Sequence, residues 1–128
     1  ERIDAERWQG AARIFALPCR PEKLRILSNT GVPAELGLAR DPRELGVAVR
    51  RIVLRQGTRF RIIEADDTAL SEGFHRFEPD SQLRWTTGDA TIPAAVFWDF
   101  DGPMELVLHL GAATRYPAGH DAAARTAA

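Results

Sequence analysis

His75, Glu78 and Asp80 fall within six residues of one another, in a stretch punctuated by Gly73 and Pro79. Loops carry binding and catalytic groups more often than regular elements do. An H-x-x-E spacing would offer two ligands to a divalent cation, with His109 as a third. The same three side chains, Glu78, Asp80 and His75, would otherwise serve acid–base catalysis. The competing reading is a surface loop in which Glu78 pairs with Arg76 or Arg84. Three histidines scattered over 128 residues favour that loop. Asp99-x-Asp101-Gly102 resembles the opening of a calcium loop but lacks the later ligands and the bidentate glutamate such a loop needs. A tight turn explains it with fewer assumptions. The expectation is therefore no metal and no cofactor.

Nucleophilic chemistry is no better supported. Cys19, between Pro18 and Arg20, has no histidine near it in sequence to act as a base. The chain has no G-x-S-x-G, no phosphate-cradling glycine loop and no H-E-x-x-H. A non-catalytic protein is expected. Arg50, Arg51, Arg55, Arg59 and Arg61 gather in one segment and would suit a phosphate, a polyanionic glycan or nucleic acid. Glu64, Asp66 and Asp67 follow at once and neutralise much of that field. Few aromatic residues interleave with these arginines, so no stacking platform for single strands is expected. The net charge of −1 gives no general pull toward nucleic acid.

The aromatic residues leave a further possibility. Sugars present flat C–H faces that pack on exposed rings. Trp85, with Arg84 and Thr86 beside it, is weighed as a half-exposed platform against an ordinary core tryptophan. Trp98, next to Phe97 and Phe100, reads as core or an inter-domain contact. The candidate ligand-binding set is Trp85, Arg84, His75 and Glu78, all on the loop 74–89.

The elements that must position these groups read as strands. Ala12 to Leu17, Lys23 to Ser28 and Met104 to Leu110 alternate or carry strand formers. Leu45 to Gln56 and Thr58 to Ala65, with Gly57 between, read as a β-hairpin. In its first strand Leu45, Val47, Val49 and Val53 share a face that Arg51 and Arg55 interrupt. Gln82 to Thr87, Ala90 to Ile92 and Ala112 to Tyr116 are shorter candidates. Asn29 to Gly31 reads as a turn and Val32 to Arg43 as a loop. Residues 93–100 fit either a strand or a helical turn. Residues 118–128 read as a flexible, Ala-rich tail. With 128 residues, 45% of them hydrophobic and 27% charged, one domain with its own core is expected. No apolar run is long enough to span a membrane as a helix. The fold class is mainly β: an antiparallel, jelly-roll-like sandwich over 1–117 with little helix.

Five segments together carry a resemblance: PAELG at 33–37, DPRELGVAVRRIVL at 41–54, GFHRFEPDSQLRWTTGDATIP at 73–93, MELVLHL at 104–110 and RYP at 115–117. The chain resembles a small β-sandwich accessory domain of alphaproteobacteria. That domain occurs C-terminal in proteins with a Hint (hedgehog/intein) module, and similar segments accompany glycosyltransferase-type proteins. Sixteen of 17 basic residues are arginine, which fits a GC-rich bacterial genome. A start at Glu1, with Met104 the sole methionine, reads as a piece of a longer polypeptide. The resemblance implies an accessory role near glycans or the cell surface and carries over no catalytic residue. The leading expectation is a non-catalytic module recognising a glycan. The alternatives are a structural domain packing on a partner protein or neighbouring domain, and a small acid–base enzyme.

Overall fold

The computed structural model describes residues 2–28, 43–111 and 122–127. The expected turn at Asn29–Gly31, most of the loop to Arg43 and the strand at Ala112–Tyr116 lie outside them. Among the described residues ten strands run in chain order: β1 (Arg2–Ile3), β2 (Arg7–Gln9), β3 (Ala12–Leu17), β4 (Lys23–Ser28), β5 (Ala48–Gln56), β6 (Arg59–Glu64), β7 (Arg84–Trp85), β8 (Asp89–Ile92), β9 (Met104–Leu110) and β10 (Ala122–Ala127). They form two antiparallel sheets, one ordered β1-β10-β4-β8 and the other β2-β3-β9-β5-β6, with β7 also paired to β5. The chain is mainly β, as its sequence pattern requires.

One core lies between the sheets. Leu24 and Ile26 of β4 and Ala90 and Ile92 of β8 meet Phe15 and Leu17 of β3, Ile52 and Leu54 of β5, and Leu106 and Leu108 of β9. The period of two in β9 does what it promises: Met104, Leu106 and Leu108 point inward while Glu105 faces the other way. In β5 the alternation breaks for a physical reason. The register against β9 shifts between Val49 and Arg51. Such a bulge inserts one residue and reverses the side-chain parity. Val47 and Val49 face the core before it, and Ile52 and Leu54 after it. Val53 therefore turns to the outer face, where it packs near Ile14 and Val107.

Two glycines are required by geometry. Gly57 has φ +61° and is the first central residue of the β5–β6 turn, the place a type II′ hairpin reserves for glycine. A Cβ on Gly46 would lie 2.3 Å from Thr86 Oγ1 and 2.7 Å from the Gly88 nitrogen, so only hydrogen fits there.

The remaining differences are local. Residues 94–97 form a 3-10 turn after Pro93, which decides the segment the sequence left open. The strand expected over Gln82–Thr87 is reduced to Arg84–Trp85. The stretch read as a flexible tail contains β10, which pairs with β4 over six residues and with β1 over two. Alanine is a weak strand former, so this run carries no strand signal of its own. Its pairing comes from the edge that β4 offers.

Candidate functional site

The loop 74–89 sends its four candidate residues to four different neighbours and acts as a brace. Trp85 is 8% exposed and packs with Leu45, Ala48 and Leu83. Pairing with β5 sets it opposite Ala48 and turns the ring inward, so it presents no surface platform. Arg84 donates from Nε to the Ala65 carbonyl at 2.6 Å and from Nη1 to the Leu70 carbonyl at 2.5 Å. The expected pairing of Glu78 with Arg76 or Arg84 is replaced by Arg43, whose Nη2 donates to Glu78 Oε2 at 3.0 Å. His75 Nε2 lies 2.9 Å from the Glu44 carbonyl oxygen. Bridges between Phe74 and Thr86 and between Glu78 and Leu83 close the loop on itself. Each polar side chain thus ties the loop to its surroundings. Among the described residues, no three of histidine, cysteine, aspartate or glutamate gather to hold a metal ion.

Four of the five hairpin arginines, Arg51, Arg55, Arg59 and Arg61, are engaged in ion pairs. Arg51 lies 3.6 Å from Glu64, and Arg55 lies 2.8 Å from Glu105. Asp99, weighed above as a calcium ligand, is clamped by Arg61 at 2.6 Å and Arg59 at 3.2 Å. The Arg61 hydrogen bond holds the Asp99 carboxyl below its ordinary value, against a smaller opposing effect of burial.

That clamp adjoins Trp98, for which the sequence suggests core or an inter-domain contact. Trp98 is 68% exposed. Its neighbours Phe97 and Phe100 are buried at 0% and 1%. A spacing of three, continued past the 3-10 turn by the Phe100–Phe97 backbone bond, buries both rings on one side and leaves Trp98, one of the two residues between them, on the other. The i, i+3 pair was therefore the available signal. The backbone around Trp98 is tied at several points. Arg61 Nη1 donates to the Val96 carbonyl at 2.7 Å, Arg20 Nη1 to the Trp98 carbonyl at 2.8 Å, and the Phe100 amide to the Phe97 carbonyl at 3.0 Å. Beside the ring lies a shallow cleft of about 690 Å³, lined by Arg20, Pro21, Glu22, Ala94, Ala95 and Trp98.

Two other surfaces compete. Trp8 is 63% exposed, but the Arg13 guanidinium sits 4.4 Å above its ring and occupies one face. A larger cleft of about 1,110 Å³ runs between the N-terminal strands and the hairpin tip. Its charges are paired within the chain: Arg7 and Arg55 both bond Glu105, at 2.7 and 2.8 Å, and Arg2 bonds Asp4 at 3.0 Å. Trp98 is the exposed tryptophan whose ring borders a cleft and carries no stacked cation among the described residues.

No protein family, curated protein or solved structure matches the chain. No helix among the described residues is long and apolar enough to cross a membrane.

Proposed function

We propose that the chain is a non-catalytic recognition module whose ligand is a glycan, held on the Trp98 cleft. The observation that carries this reading is the 68% exposed Trp98 ring on a backbone fixed by arginine hydrogen bonds. A ring held in one orientation loses little entropy when a sugar face stacks on it. Polar groups that could read hydroxyls line the same cleft. The Arg20 guanidinium has five N–H donors, and its bond to the Trp98 carbonyl uses one. Glu22 supplies carboxylate acceptors along the same cleft. The cleft volume suits a few sugar units rather than a long groove. The resemblance to accessory domains found with glycosyltransferase-type proteins points the same way.

A glycan array probed with this chain and with Trp98→Ala tests the reading. Specific binding by the native chain, weakened at least tenfold in Trp98→Ala, is the expected result. No binding to any glycan, or equal binding by a folded Trp98→Ala protein, overturns it. Loss of binding on adding EDTA would overturn the metal-free site proposed here.

A further inference from the structure

We propose that β6 is a pairing edge, and that its occupant is β6 of a second copy of this chain, antiparallel and centred on Ile62. This inference is independent of the glycan reading. β6 ends the path β2-β3-β9-β5-β6, and among the described residues no strand pairs with its far side. The hairpin register sets Gln56 opposite Arg59, Leu54 opposite Arg61 and Ile52 opposite Ile63. In a two-residue hairpin those pairs exchange the ladder bonds. The N–H and C=O groups of Phe60, Ile62 and Glu64 therefore point to the open edge. The Glu64 carbonyl accepts the Asp67 amide at 3.0 Å and keeps a second lone pair.

Side chains make this edge unusual. Sheet edges are commonly guarded by charge. Here Arg59 and Arg61 are drawn away to Asp99. What remains on the outer face of the edge is Phe60, 62% exposed, and Ile62, 58% exposed, with Glu64 at its end. Behind them the outer face is apolar along one row: Ile62 stands opposite Val53, Val53 opposite Val107, and Val107 opposite Ile14.

Charge selects the partner and the register. Phe60 stands opposite Arg55, and Arg55 opposite Glu105; Glu64 stands opposite Arg51. A two-fold pairing centred on Ile62 sets Phe60 against Glu64 of the second copy. Signs across the junction then alternate: Glu105, Arg55, then Glu64 and Arg51 of the second copy. Ile62 meets Ile62, which makes the apolar row continuous through both molecules. Centring on Arg61 would oppose two arginines, and centring on Ile63 would set Ile62 against Glu64 and break the apolar row. Like charges directly opposite destabilise a strand pair, and opposite charges or apolar pairs support it. The surface is thus complementary to itself, as an isologous dimer requires.

A six-residue edge is small beside a standard interface, so the dimer is a weak one. Sedimentation over a concentration series reads it. The apparent mass is expected to rise from 14.2 kDa toward twice that value. Ile62→Lys, at an exposed position that the fold does not need, is expected to stay at the monomer mass. Amide exchange supplies an independent reading: at high concentration Phe60, Ile62 and Glu64 slow severalfold, while Arg61 and Ile63, already bonded to β5, do not change. A monomer throughout the series overturns the proposal. So does a dimer that survives Ile62→Lys, or one that leaves those edge amides unprotected.

Discussion

Two tryptophans thirteen residues apart should answer truncation in opposite ways. Trp85→Ala removes a buried ring from the cluster with Leu45, Ala48 and Leu83. Large-to-small changes of this kind cost about 3–5 kcal/mol. Urea denaturation should show a marked fall in midpoint, and an unchanged midpoint would mean that the ring is not in the core. Trp98→Ala removes an exposed ring and should leave stability within about 0.5 kcal/mol, while glycan binding is lost. The sequence neighbours of these residues left both assignments open: Arg84 and Thr86 allowed a half-exposed Trp85 against a core one, and Phe97 and Phe100 pointed to core or an inter-domain contact for Trp98. Pairing with β5 decides the first, and the three-residue period of the 3-10 turn decides the second. Neither is visible in side-chain chemistry alone. Asp99→Asn supplies a further test, because it weakens the clamp without touching the cleft. Glycan binding should weaken, and the conservative change to Glu should restore part of it. Full binding by Asp99→Asn would show that Trp98 needs no such positioning.

At the scale of elements, what could be read was set by periodicity and turns. β3, β4 and β9 stand where alternation put them, and Gly57 marked its hairpin. The bulge in β5 was less legible, although the awkward pair Arg50–Arg51 lies at the shift itself. β7 was overestimated because Trp85 and Thr86 favour strands locally, whereas the loop closes on itself through Phe74–Thr86 and Glu78–Leu83. Gly46→Ala should be costly here. Its methyl would press on the Gly88 backbone, and overpacking of that kind costs about 1–3 kcal/mol. A thermal melt unchanged by this substitution would contradict the close approach. β9 also carries a pH dependence. Burial holds His109 below its ordinary value of 6.5, helped by Arg51 and Arg55 and opposed by Glu64. The unfolded chain therefore takes up this proton at a higher pH than the folded one. Stability from the neutral imidazole is complete above about pH 6.5 and falls as pH drops through that value, because the unfolded state binds more protons there. The urea midpoint should decline as pH falls below about 6.5, and His109→Gln should flatten that decline. An equal slope in the variant would place the titration elsewhere.

The whole molecule is closed by its least expressive segment. In the sheet β1-β10-β4-β8, β10 is an inner strand, and without it β1 has no partner in that sheet and β4 loses one of its two. The six-residue ladder from Ala122–Ser28 to Ala127–Lys23 joins residues about a hundred positions apart. Contacts of such long range confer no stability until the intervening chain has ordered. Composition could not reveal this strand, since alanine-rich runs neither alternate nor favour extended backbone. Its identity is imposed by the edge waiting for it, an edge built from the well-patterned residues Leu24 and Ile26. Deleting residues 118–128 is therefore a test of the fold and not a trimming of loose chain. The shortened protein should unfold at a clearly lower urea concentration. Amides on the β10 side of β4 should exchange far faster, while those joining β4 to β8 and β5 to β9 keep more of their protection. If the shortened chain matches the full one in midpoint and in β4 protection, residues 122–127 contribute nothing to the sheet, and the four-stranded layer reduces to the pair β4–β8.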